Sequence, residues 1–444
     1  MKFAGGPSLV CALAAVVLAL ALQISSGMYD ERALALATLA AAAAVIAALW
    51  RRRGAVAEPA LPAQIILGAG SAFGLACHLL GNPTFYGDPL ALAGGFRWLA
   101  LAALVLLSAY LCIHLRASLA RARFLLLLGC FVLMGVAVLR ASPRPWVDVW
   151  VIQQGGAEAL SHGVNPYSAS YPNIYGALTS KMLAPELLVG GRIAAYPYPP
   201  LTALVNLGAE IAFGDVRYAL LGLMTAAAWM LARAADGVAG ELAALFVLFQ
   251  PRTFFVLEQS WTEPLVLACF AGAALALSRW KGPVLAGAAL GLLAASKQTS
   301  LFLLLPLAFV LPPSGRRKSL LAAAGVAAAL LVPFALWDPA GFFRGLVRMQ
   351  LWQPFRDDSL SLAALAAHLR PGDYSALSLV GLALAAALLA FCLRGRTDLP
   401  QAASTSAAAW ILLLLLNKQA FCNYYWLAAG LLCAAVALPA RDER

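Results

Sequence analysis

The chain has 444 residues, 63% of them hydrophobic and 11% charged, with a mean hydropathy of +0.83. Soluble domains carry about 45–50% apolar and about 25% charged residues, so a soluble enzyme is excluded and the composition is that of an integral membrane protein. The net charge of +11 comes from basic residues that punctuate apolar runs rather than alternating with aromatics on one face, which speaks for membrane topology and against a nucleic-acid surface.

In chain order, apolar runs fall at about 8–24, 33–50, 62–80, 94–114 and 124–140, before a polar, proline-rich stretch. They resume at about 216–234, 239–256, 263–280, 283–296, 299–312, 319–337, 374–393, 400–416 and 424–439. A spanning helix needs about 20 apolar residues, so the expected fold is an all-α polytopic bundle of about 14 transmembrane spans. The first run has a second reading, as a signal peptide, because Lys2 precedes it and Ser25-Ser26-Gly27 closes it.

Basic residues in short loops set the orientation. Arg51, Arg52 and Arg53, then Arg116, Arg121 and Arg123, Arg233, Arg279 and Lys281, Arg316, Arg317 and Lys318, and Arg394 and Arg396 all follow even-numbered runs. With Lys2, Arg441 and Arg444 they place 17 basic residues on one side against six acidic ones (Glu58, Asp236, Glu241, Asp398, Asp442, Glu443), while the other side balances 14 against 14. Both termini are therefore expected in the cytoplasm of a multi-pass cell (inner) membrane protein, and any site on the external, periplasmic side.

Two segments break the rhythm: a large external loop over 141–198, and a second over 338–373 that mixes Phe342, Phe343, Arg344, Arg348 and Trp352 as an interfacial helix does. The run 199–213 opens at Pro199-Pro200 and must start and finish outside, so it is expected to be re-entrant or surface-lying. Gly68, Gly70 and Gly74 lie inside a span and read as close helix packing rather than a phosphate loop. The eight cysteines stand singly, and His78, His114, His162 and His368 are scattered, so neither a zinc motif nor any other metal or cofactor site is expected.

Polar groups at the membrane are expensive unless paired or functional, and they collect on the external side. Asp148, just past the fifth run, suits a general base, although an isolated Asp here reads first as an N-cap for the segment 149–160. Gly163-Val164-Asn165-Pro166-Tyr167 and Tyr196-Pro197-Tyr198-Pro199-Pro200-Leu201 follow it. The turn Glu258-Gln259-Ser260-Trp261-Thr262-Glu263 carries two acids, suited to sugar hydroxyls or simply solvated. Gly287 to Gly291 lead to Lys297, a cation inside an apolar hairpin that calls for an anion, and Lys418 occupies the matching turn before the last run.

In their order and spacing these elements resemble the GT-C glycosyltransferases, and within them the polyprenyl-phosphate-mannose-dependent enzymes of glycosyltransferase family 87. The likeness runs over about 140–300: a span ending in Asp148, Gly-x-Asn-Pro-Tyr, Tyr-Pro-Pro-Leu, a Gln-containing turn, and Ala-Gly-x-x-x-Gly-Leu with a lysine soon after. The sequence departs from the family in placing four runs before the span that leads to Asp148. The expected division is therefore a four-span extension over 1–123 that the family lacks, a GT-C-like catalytic module over 124–337 and a C-terminal part over 338–444. The resemblance implies transfer of a mannose-like sugar from a polyprenyl-phosphate donor to the hydroxyl of a lipid or glycan acceptor, with Asp148 as base. Lys297 would hold the donor phosphate, with Arg144, Arg192, Arg252 and Lys418 as further phosphate candidates. Glu258, Gln259, Glu263, Asn165, Tyr167, Tyr196 and Tyr198 would line the sugar and acceptor site. Competing classes are a ligase or polymerase of surface glycans and a lipid or solute transporter; the transporter predicts charges at mid-span, whereas most of them here sit at outer ends.

Overall fold

A computed structural model describes residues 6–50, 61–112, 117–235, 237–280, 282–395 and 397–440, with only the backbone for 112 and 117–121. Lys2, Arg51, Arg52, Arg53, Arg116, Lys281, Arg396, Arg441 and Arg444 of the charge pattern lie outside the described residues, as do Glu58, Asp236, Asp442, Glu443 and His114.

Each apolar run is helical, and its neighbours in sequence explain where it begins. Asp30, Asp88, Ser361 and Asp398 turn their side chains onto the free N–H groups of the helices that follow. Proline opens several others, among them Pro200–Phe213, Pro283–Ala294 and Pro313–Trp337, because its missing N–H and fixed φ suit the first turn.

Helix length departs from the expectation of 14 equal spans. Six described helices are long and apolar enough to cross a membrane, or up to seven if Pro200–Phe213 and Arg217–Ala234 form one span bent by 113°. Seven others, of 10–17 residues, are shorter than a full crossing; at 1.5 Å per residue the 12-residue Val238–Phe249 covers about 18 Å of a hydrocarbon core of about 30 Å. Its run was read as continuous to 256, but Pro251 cannot donate to the ladder and forces Gln250 into an extended conformation, so the chain re-enters as a separate helix, Thr253–Glu258. The 113° bend follows Gly214, which adopts φ +69°; it accords with a re-entrant or surface-lying segment over 200–213.

The last helix, Cys422–Ala437, sits at the centre with nearly every residue buried. Around it pack Gly6–Ser25, Val238–Phe249, Glu263–Ser278 and Leu399–Leu415, so the first helix of the chain lies against the last. Gly74 meets the Phe249 carbonyl, closer than any Cβ allows. Gly287 and Gly291 bring their helix onto the backbone of Ser319 and Ala323 in Pro313–Trp337, so the glycine pair that precedes Lys297 serves close helix packing.

A second, smaller core lies apart from this bundle. Ile152, Tyr167, Tyr171, Tyr196, Leu346 and Met349 are among its buried residues. It joins the helix Asp148–Ser161 and a short hairpin (Leu188–Val189 with Arg192–Ile193) to the helical segment 339–352. Gly345 lies so close to the Tyr196 carbonyl that a Cβ would stand 2.1 Å from it.

Candidate functional site

Asp148 opens its helix, but the N-cap position belongs to Val147, whose apolar side chain makes no capping bond. The Asp148 carboxylate accepts a hydrogen bond from the Tyr175 hydroxyl, and the charged side chain within its electrostatic reach is Arg356. Burial raises its pKa above the ordinary carboxylate range, with the Tyr175 bond and the Arg356 charge working the other way. A carboxylate so placed is a stronger base than a solvated one.

Arg356 is fixed rather than free. Its guanidinium forms a two-pronged pair with Asp358, at 2.7 and 2.6 Å, and lies over the Phe421 ring, 5.0 Å from its centroid. Its backbone N–H donates to the Lys418 carbonyl. The second loop and the turn before the last helix thus carry this cation to the first loop's aspartate.

A second charged group stands beside the first. Lys297 pairs with Glu263, whose other oxygen accepts from Asn423 Nδ2 at 2.7 Å, and the ammonium lies 4.7 Å from the centre of the Tyr424 ring. The Glu263 side chain is fully buried and that of Lys297 is 17% exposed. Two tyrosines connect the groups: Tyr198 lies within electrostatic reach of Asp148, Glu263 and Tyr424 and bonds to Gln153, while Tyr424 feels Lys297, Glu263 and Asp148. Gln298 holds the adjoining backbone, donating to the Pro197 carbonyl at 2.9 Å.

Most of the remaining sequence candidates have evident partners. Asn165 turns its side-chain oxygen to the Tyr167 N–H, and the Tyr167 hydroxyl donates to the Tyr198 carbonyl at 2.6 Å; Tyr196 is buried against both rings. Together they set the course of the backbone around Tyr198. Glu258 accepts the backbone N–H groups of Phe85 and Tyr86, with Gln259 beside it at 3.3 Å. Lys418 Nζ donates to the carbonyls of Leu351 and Gln353, and Arg192 bonds to Ser170. Arg252 reaches toward the Gln23 carbonyl and neighbours Cys77 and Cys422, and Arg144 is exposed between two prolines.

Tyr175, Arg356, Gln153 and Tyr86 were not foreseen. Arg356-Asp357-Asp358 after Gln353-Pro354-Phe355 was the available cue for the second loop, since three consecutive charges in so apolar a chain need a reason. Tyr175 and Gln153 carry no such cue, because their partners are remote in sequence.

No curated protein matches the chain. The sequence model of glycosyltransferase family 87 matches residues 193–417, which is more than half of the 444 residues and includes Tyr196, Tyr198, Glu258, Glu263, Lys297 and Arg356. A multi-pass helical membrane protein with a carboxylate and two fixed cations gathered at one set of loops, matched over that length, belongs to glycosyltransferase family 87.

Proposed function

We propose that this glycosyltransferase moves a mannose-like sugar from a polyprenyl-phosphate donor to an acceptor hydroxyl at the outer membrane face, with inversion at the anomeric carbon and Asp148 as the general base. Asp148 takes the acceptor hydroxyl proton, the acceptor oxygen bonds to the anomeric carbon, and the bond from that carbon to the phosphate oxygen breaks with its electron pair going to polyprenyl phosphate. Lys297 and Arg356 supply positive charge where the phosphate charge develops.

The observation that carries the reading is that Asp148 and Glu263 lie within electrostatic reach of the same two tyrosines, Tyr198 and Tyr424, with the Lys297 ammonium 4.7 Å from the Tyr424 ring, which supports reading base and cation as one cluster. Burial strengthens the base, and the Tyr175 hydroxyl fixes its direction. A lipid-linked donor suits a site at the loops of a bundle whose long helix Pro313–Trp337 is mostly uncovered by protein, since the tail stays in the bilayer while the phosphate reaches the loops.

The test is transfer by the purified full-length enzyme in nanodiscs, offered lipid-phosphate sugars or nucleotide sugars with no lipid-charging enzyme present. Turnover with lipid-phosphate mannose and none with the nucleotide sugar is expected. Turnover with the nucleotide sugar alone overturns the donor assignment.

A further inference from the structure

Residues 81–88, between the helices Leu61–Leu80 and Pro89–Ala93, lie outside the segment matched by the family. They are nevertheless bonded to the chain that delivers Asp148. The Asp88 N–H donates to the Ala141 carbonyl at 2.9 Å, and the Tyr86 hydroxyl donates to the Trp146 carbonyl at 2.7 Å. Ala141 ends the helix before the non-helical connector 142–147 and Trp146 lies near the connector's far end, two residues before Asp148. The connector is only partly packed: Ser142 and Pro145 are buried, while Pro143 and Arg144 are exposed and Trp146 is 65% exposed.

The strap is itself anchored from inside the matched segment. Glu258, fully buried, gives Oε2 to the Phe85 N–H at 2.6 Å and Oε1 to the Tyr86 N–H at 2.9 Å. A carboxylate that accepts two backbone N–H groups makes strong, charge-assisted bonds, and this accounts for a buried acid that forms no salt bridge among the described residues. Asn82 completes the turn by accepting from the Thr84 N–H and hydroxyl. Tyr86 stands within electrostatic reach of both Glu258 and Asp148.

Resting on Asp148 as the base, we propose that Tyr86, held by Glu258, is a positioning residue: it fixes the connector so that the carboxylate enters the site in one orientation. The helices before the catalytic module thereby contribute to transfer itself, and Glu258 acts on the reaction through backbone it holds rather than through the sugar.

The test uses the full-length enzyme in nanodiscs. Tyr86→Phe keeps the ring and removes only the bond to Trp146, so kcat should fall about tenfold, the value of one lost hydrogen bond, with donor KM and melting temperature unchanged. A loosened connector admits water to a carboxyl otherwise faced by Tyr175, Tyr198, Tyr424, Arg356 and Tyr86, so the acid limb of the rate profile should move to lower pH. Glu258→Gln, which leaves one N–H without its acceptor, should do the same, and the double variant should be no slower than the slower single one. Wild-type kcat and an unmoved limb in Tyr86→Phe, with Asp148→Asn inactive, overturn the proposal. An active Asp148→Asn overturns instead the base assignment on which it rests. Should Glu258→Gln fail to fold, Tyr86→Phe decides alone.

Discussion

Lys297 is asked to do two things, to neutralise Glu263 and to meet the donor phosphate, and substitution separates them. In Lys297→Met the fully buried Glu263 keeps only its bond from Asn423. Removing one partner of a buried pair costs about 3–5 kcal/mol. Thermal unfolding in nanodiscs, followed by tryptophan fluorescence, should show a clearly lowered midpoint for Lys297→Met. Glu263→Gln/Lys297→Met should recover most of it, because no charge is left stranded and Asn423 still has an amide to bond. Transfer should stay low in both. A wild-type midpoint in Lys297→Met refutes the buried pair as described, and recovery of transfer in the double variant refutes the phosphate contact while leaving the pair intact.

Asp148→Asn should reduce transfer by about 10²–10⁴-fold, the range of a general base, with an unchanged melting temperature, since Asn still accepts from Tyr175; single-turnover rates check it, and near-normal rates contradict it. Because burial raises the Asp148 pKa and the base works unprotonated, the rate should fall with decreasing pH through a limb above the ordinary carboxylate range. Arg356→Gln removes a charge that lowers that pKa and should move the limb higher still, measured as kcat/KM against pH. Gly345→Ala puts a methyl 2.1 Å from the Tyr196 carbonyl oxygen and should destabilise the loops by about 1–3 kcal/mol, read as faster limited proteolysis between 339 and 361.

Hydropathy made the helices legible run by run, because burial in lipid and in protein select the same residues. It could not divide full crossings from short ones. The sequence from 239 to 256 reads as one apolar run in spite of Glu241, Gln250 and Arg252, yet the break at Pro251 turns it into a 12-residue helix and a six-residue one. The site was legible where chemistry is local: Asp148 after a span, Lys297 in an apolar hairpin, two acids in one turn. It was hidden where pairing is remote, since nothing near Glu263 in sequence points to Lys297 or Asn423, and nothing near Asp148 points to Tyr175 or Arg356. Glu258 illustrates the difference, because an acid in a polar turn suggests a ligand, while its actual partners are two backbone N–H groups 172 and 173 residues away.

The charge arrangement also constrains how the site comes into being. Glu263 comes from the start of one helix, Lys297 from the end of a hairpin arm and Asn423 from the last helix, so its burial is tolerable only after all three have met. Asp148 likewise needs Tyr175 from its own loop and Arg356 from the second, and Arg356 is in place only with Asp358 and the Phe421 ring. Burying an ion before its partner arrives costs several kcal/mol. The cluster is therefore stable only with these helices and loops packed together, and a substitution that separates any of them strands a charge. Lys297 stands against Glu263 and Arg356 against Asp358, so both cations are held in place before substrate arrives, which is the preorganisation a transferred sugar requires.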